Sequence, residues 1–253
     1  MTNYLNKLNK LAKEINIEDI NKQVDEINQI IYKIDHNQII KKAPKKLGFE
    51  PDILEYFNRS YSKQDQINIK VIDKMLNSFR QYLSLQYGLW SLPNLETASL
   101  IKDELQINSV LEIMAGNALW SKAFNEVGLN VIATDNLEWA KTSNTGKKQF
   151  LRVENLDANK AIQKYNKVDA VFCSWAPNFG NYDLQVVQNW STTDISHLLF
   201  CGEKDGATNT KIFWSNVNLK HTKELKRINQ SFQSFDFIAE KIFEIGRHEQ
   251  KTN

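Results

Sequence analysis

The spacing of apolar residues changes near residue 93 of this 253-residue chain, and no other feature constrains the fold as strongly. From Ile17 to Ile34 these residues recur every three or four positions, the spacing of one face of an α-helix. A second series with similar steps runs from Ile67 to Leu83. The stretch between them, Lys41 to Pro51, carries a basic run and two prolines, which is typical of a connection. Residues 1–92 are therefore predicted to be an all-helical N-terminal region.

After Pro93, short apolar runs alternate with segments of helix length. Helices are predicted over Glu96–Leu105 and Leu119–Val127. The runs predicted as strands are Ser109–Met114, Asn130–Thr134, Phe150–Val153, Asp169–Cys173 and His197–Cys201. Strands that alternate with helices are joined by right-handed crossovers and form a parallel sheet.

The last part of the chain has a different pattern. Ile228–Phe235 and Phe237–Ile245 are extended, aromatic-rich runs with only a short break between them, which favours an antiparallel pair. The prediction is an α/β fold with a doubly wound, mostly parallel seven-stranded sheet, a C-terminal antiparallel strand pair and the helical region in front. The expected division is residues 1–92 and residues 93–253.

Composition excludes several classes of protein. The chain has 32 Lys and Arg against 30 Asp and Glu, and a net charge of +2 predicts no nucleic-acid or anionic-membrane surface. Two cysteines are too few for a disulfide scaffold, and four scattered histidines lack the spacing of a metal site. The start of the chain lacks the apolar core of a signal peptide, and no apolar run is long enough to span a membrane. A reduced, soluble, cytoplasmic protein without a metal is expected.

Candidate ligand-binding residues follow the predicted strands, because an open α/β sheet binds ligands at the carboxyl ends of its strands. A small-residue turn, Ala115–Ala118, follows the first strand and lets backbone N–H groups approach a ligand closely. Glu112 stands inside the buried end of that strand, where an unpaired carboxylate costs several kcal/mol, so a functional role is favoured. Asp135 lies about twenty residues beyond the turn, where an acid binds ribose hydroxyls. Asp157 follows the third strand and is suited to an adenine amino group, although an isolated Asp there is commonly a helix cap.

These residues, taken in order with Ser174–Pro177 after the fourth strand, resemble class I S-adenosylmethionine-dependent methyltransferases over Glu96–Arg247. The resemblance implies that Glu112 orients the turn and the methionine end of the cofactor. It also implies that Asp135 binds the ribose and Asp157 the adenine. Further cofactor contacts are expected from Ala115, Gly116, Asn117, Asn136, Ala158 and Ser174.

The same resemblance implies transfer of a methyl group from S-adenosylmethionine by proximity and in-line alignment. Trp175 and Pro177 are expected to shape the acceptor face. The acceptor is unidentified, and a small molecule or a protein is expected rather than nucleic acid or membrane. Ser174–Pro177 does not match the Asn-Pro-Pro-Tyr motif of enzymes that methylate planar amino groups, so no such amine is assigned.

One departure from the family keeps two other functions open. The family's turn carries three glycines, and the corresponding positions here are Met114, Gly116 and Ala118. A methyltransferase-like binding module without catalysis fits this weakened turn, although retention of the three acids argues against it. A nicotinamide-dependent dehydrogenase is the other alternative, but it requires a Gly-x-Gly-x-x-Gly turn, which this chain lacks.

Overall fold

The computed structural model of the chain describes residues 3–247, and its N-terminal part is helical as predicted. Residues 1–2 and 248–253, which include His248, lie outside this range. The helices of this part are α1 (Asn3–Ile15), α2 (Glu18–Asp35), α3 (Pro51–Ser60), α4 (Lys63–Asn77) and α5 (Phe79–Tyr87). The apolar series from Ile17 to Ile34 forms the buried face of α2. The second series is divided at Ser78, which ends α4 and begins α5.

A seven-stranded sheet follows, in the order β3-β2-β1-β4-β5-β7-β6. Its strands are β1 (Ser109–Ile113), β2 (Asn130–Asp135), β3 (Val153–Asn155), β4 (Ala170–Ser174), β5 (His197–Glu203), β6 (Asn218–Leu219) and β7 (Glu240–Gly246). Strands β1 to β5 are parallel, and β7 runs antiparallel to both β5 and β6. The predicted fold class, with its doubly wound sheet and C-terminal antiparallel pair, is confirmed.

Both faces of the sheet are covered, because side chains alternate along each strand. On β1, Val110 belongs to one buried cluster and Leu111 to another. The cluster with Val110 also contains Ile27 and Phe79, so the N-terminal helices and the sheet share one continuous core. The helices of this part are α6 (Leu95–Leu105), α7 (Leu119–Glu126), α8 (Glu138–Thr142), α9 (Ala158–Lys164), α10 (Tyr182–Ser191), α11 (Lys211–Asn216) and α12 (Lys223–Ser231).

The first strand of the terminal pair was predicted in the wrong place. Residues 228–231 belong to α12, in which Leu225 and Ile228 are buried three positions apart, as on a helix face. The side chain of Thr222 caps α12 by accepting a hydrogen bond from the backbone N–H of Leu225. The strand that pairs with β7 is instead the two-residue β6.

The third strand is also displaced from its predicted position at Phe150–Val153. It spans Val153–Asn155, because Phe150 uses its backbone N–H to reach the carbonyl of Asn117 rather than a neighbouring strand. Strand order reverses between β1 and β4, since the chain passes from β1 to β2 on one side and returns to β4 on the other. A crevice at the carboxyl ends of β1 and β4 is the usual ligand site of such sheets.

No helix within residues 3–247 is both long and apolar enough to cross a lipid bilayer.

Candidate functional site

A cavity of about 570 Å³ opens at the carboxyl ends of the parallel strands, within the size range of small-molecule sites. The loops after β1, β2 and β4 form its walls together with the start of α9, and residues 88–91 close it from the N-terminal region. The structure brings all the candidate site residues together in its lining: Glu112, Ala115, Gly116, Asn117, Asp135, Asn136, Asp157, Ala158, Ser174, Trp175 and Pro177.

Glu112 is held at the end of β1 by the first turn of α7. Its Oε2 accepts hydrogen bonds from the backbone N–H of Ser121 at 2.8 Å and from the Ser121 hydroxyl at 2.5 Å. The side chain is buried, and burial raises the pKa of Glu112 to about 7 despite these two bonds, with the nearby charge of Asp135 adding to the rise. A buried carboxylate loses its hydration by water, which costs free energy. Carboxylates kept buried despite this cost are typical of functional sites.

Asp135 joins the loops after β1 and β2. Its two carboxylate oxygens accept the backbone N–H groups of Gly116 at 2.9 Å and Leu137 at 2.7 Å. A carboxylate has about four acceptor positions, so these bonds leave room for two more donors from the cavity. The geometry suits a pair of neighbouring hydroxyl groups.

Asp157 and Asn136 complete this side of the cavity. Asp157 caps α9 by accepting the backbone N–H of Asn159 at 3.0 Å, and Asn136 accepts the N–H of Glu138 at 3.1 Å. Asp157 therefore has the capping role that an isolated Asp after a strand commonly has, and its side chain lines the cavity as well.

The loops around the cavity contain strained backbone. Met114, Gly116 and Ala118, which stand where the related turn carries glycines, all have positive φ, of 51°, 53° and 59°. Leu137 and Trp175, in the loops after β2 and β4, are also left-handed, with φ of 57° and 53°. A left-handed residue with a side chain costs roughly 1–2 kcal/mol, and such residues cluster at functional sites. The turn therefore adopts its conformation with a single glycine, Gly116, and the strain at the other two positions supports a ligand-binding role for this edge.

Asn117 links the turn to the N-terminal region. Its Nδ2 donates to the carbonyl of Tyr87 at 2.6 Å, while its buried Oδ1 accepts no hydrogen bond from the described residues. Gly88 follows Tyr87 with φ of 68°, and a Cβ there would lie 2.7 Å from the indole of Trp139 and 2.9 Å from Asn117 Nδ2. Only glycine fits this contact between the two parts of the chain.

Trp175 is fixed by residues from three distant segments. Its Nε1 donates to Glu240 Oε1 at 2.7 Å, and its ring stacks on Trp90 with centroids 5.4 Å apart. The guanidinium of Arg80 lies 5.0 Å from the centre of the Trp175 ring. Arg80 also donates to Glu240 at 2.9 Å and to Asp236 at 2.6 Å, so both carboxylates of this buried cluster are paired.

Several lining residues were not singled out as site residues by sequence. They are Glu138, Trp139, Phe179, Tyr182 and Trp90. Trp139 stands four residues after Asp135, the last residue of β2. Phe179 lies in the loop after β4 and Tyr182 begins α10, so position after a strand was the available signal. Glu203, the last residue of β5, accepts the backbone N–H groups of Ala207 and Ala239 and does not line this cavity.

Comparison with known proteins finds distant structural similarity only. No family model and no curated protein matches the chain. Among solved structures, it is similar to the plantazolicin methyltransferase BpumL in complex with SAH, at 11% identity over 78% of this chain and 98% of that one, with a TM-score of 0.40. A SAM-dependent methyltransferase from Archaeoglobus fulgidus is similar at 11% identity over 66% and 99%, with a TM-score of 0.39. The mitomycin 7-O-methyltransferase MmcR is similar at 13% identity over 78% and 67%, with a TM-score of 0.38.

The fold assignment rests on two features of the sheet, its strand order and its antiparallel β7. The chain has a doubly wound, seven-stranded sheet with an antiparallel β7, which is consistent with the class I methyltransferase fold that its sequence resembles.

Proposed function

We propose that the chain catalyses methyl transfer from S-adenosylmethionine to an acceptor that enters the cavity beside Trp175. The observation that carries the proposal is the placement of Glu112, Asp135 and Asp157 at the carboxyl ends of three adjacent strands, around one cavity. In this proposal residues 93–247 hold the cofactor, and residues 1–92 supply the wall that contains Trp90.

The polar groups of the cavity fit the three parts of this cofactor. The remaining acceptor positions of Asp135 suit the two ribose hydroxyls, and Asp157 suits the adenine amino group. The unpaired Oδ1 of Asn117 and the carboxylate of Glu112 are acceptors for the ammonium of the methionine end. The space beside Gly116 is open, since a Cβ added there would meet only Trp139, at 3.7 Å.

When bound, S-adenosylmethionine would supply an electrophilic methyl group on a sulfonium sulfur, and the S–C electron pair would stay on sulfur as the acceptor's lone pair took the methyl carbon. The contribution of this chain is to hold the two reactants in line and to exclude water. Trp175 and Pro177, which follow β4, border the acceptor side. A proton lost by an O–H or N–H acceptor leaves through the mouth of the cavity to solvent.

Calorimetric titration with S-adenosylhomocysteine, S-adenosylmethionine and NAD tests the proposal. Binding of the first two in the micromolar range is expected, and Asp135→Asn is expected to weaken it about tenfold or more, because one of its oxygens becomes a donor. The matched control is Glu154→Gln, an acid on neighbouring β3 that pairs with Lys164 outside the cavity lining. Absence of binding at millimolar concentration contradicts the proposal, and binding of NAD instead favours a dehydrogenase.

A further inference from the structure

Aromatic side chains line the cavity, and three of them are at least half exposed. Trp90, Trp139, Trp175, Phe179 and Tyr182 line it, and Trp90, Phe179 and Tyr182 are 52%, 70% and 50% exposed. Single exposed rings are common on protein surfaces, but these border one opening. Exposed ring faces bind flat rings by offset stacking.

The charged side chains of the lining are all acidic. They are Glu112, Asp135, Glu138 and Asp157, and among the described residues no Lys, Arg or His lines the cavity. The whole chain carries a net charge of +2, so this bias belongs to the cavity and does not follow from composition.

The nearest buried cation does not reverse this bias. Arg80, beside the Trp175 ring, is paired with both Asp236 and Glu240, so the cluster behind the ring has one more negative than positive charge. Of the four acids, Glu138 is paired with Lys141 at 2.6 Å, whereas Glu112, Asp135 and Asp157 have no ion-pair partner among the described residues. An anionic ligand beside these three would meet like charge.

We propose that the methyl acceptor is a flat aromatic molecule without a negative charge, bound against the exposed rings of Trp90, Phe179 and Tyr182. This inference rests on the proposed function. Stacking selects the planar shape, and the acidic lining selects against carboxylates and phosphates. A positively charged ring gains an additional cation–π attraction.

Three probes that share one ring system test the inference: quinoline, N-methylquinolinium and a quinoline carboxylate. Each is titrated against the full chain saturated with S-adenosylhomocysteine. Quinoline and N-methylquinolinium are expected to bind, and the carboxylate at least about tenfold more weakly. Trp90→Ala is expected to weaken quinoline binding about fivefold. The matched control is Phe237→Ala, which removes a ring that is 75% exposed and outside the cavity lining, and it is expected to change nothing.

The outcomes separate the two proposals. If S-adenosylhomocysteine binds but quinoline does not, or if the carboxylate binds as tightly as quinoline, the inference about the acceptor is wrong. Unchanged quinoline affinity in Trp90→Ala overturns it as well. Failure of S-adenosylhomocysteine itself to bind overturns the proposed function instead.

Discussion

Replacing Glu112 by Gln tests whether the buried carboxylate of β1 is kept at a cost in stability. Glu112 is 2% exposed, and burial raises its pKa from 4.5 to about 7. Each pH unit between the pKa values of the folded and unfolded chain corresponds to about 1.4 kcal/mol. Ionising Glu112 in the folded chain therefore costs roughly 3 kcal/mol of unfolding free energy.

The sign of this effect defines a pH window. Below pH 4.5 the carboxyl is protonated in both states, and its charge does not affect folding. As the pH rises towards about 7, the unfolded chain loses the proton first, so the free energy of unfolding falls. The amide oxygen of Gln can accept the same hydrogen bonds from Ser121 and does not titrate. The stability of Glu112→Gln relative to the parent chain is expected to increase by roughly 2–3 kcal/mol between about pH 5 and pH 8.

Urea unfolding of both proteins, followed by tryptophan fluorescence at the two pH values, measures this difference. Glu154→Gln is a suitable control, because hydrogen bonds from Lys164 and Tyr165 lower the pKa of Glu154, and its stability difference should not grow with pH in this way. A Glu112→Gln difference that stays constant with pH, or a variant less stable than the parent near pH 8, would falsify the reasoning. The same variant is expected to bind S-adenosylhomocysteine more weakly, since stability gained at a functional site commonly reduces function.

Two further predictions concern the pH dependence of binding and the glycines of the site. The affinity for S-adenosylhomocysteine is expected to fall as the pH drops below about 7, by up to roughly tenfold per pH unit, because the ligand's ammonium favours ionised Glu112; calorimetry across this range checks it, and a flat profile would contradict it. Gly116→Ala is expected to cost about 1–2 kcal/mol from its positive φ alone, whereas Gly88→Ala adds a contact of 2.7 Å with Trp139 and should cost more. Thermal and urea unfolding of the two variants compares them, and equal losses would show that the contact is relieved without cost.

Local patterns predicted much of the fold. The series from Ile17 to Ile34 forms α2 because burial of one helix face needs only the residues of that helix. The predictions failed where the composition of a short segment is compatible with both a helix and a strand. Residues 228–235 have strand-like composition, yet Leu225 and Ile228 place the first of them on the buried face of α12. The two residues of β6 are too few to show any periodicity.

The sequence also predicted some features of the candidate site and missed others. Glu112, Asp135 and Asp157 were identified from sequence because each lies at or just after the end of a strand, and the carboxyl ends of parallel strands meet at one edge. Their roles in cofactor binding remain predictions. The positive φ of Met114 and Ala118 was not predictable from residue type, because neither side chain favours that conformation.

The sequence by itself determined the order of helices and strands up to β5 and the acids at the strand ends, since those depend on neighbours along the chain. Only the tertiary structure decided what surrounds Trp175. Three residues from separate segments contact it. Trp90 stacks on its ring, Glu240 accepts a hydrogen bond from its Nε1, and the guanidinium of Arg80 lies over its face. Contacts between residues so far apart leave no periodic pattern, because they depend on how the helical region packs against the sheet.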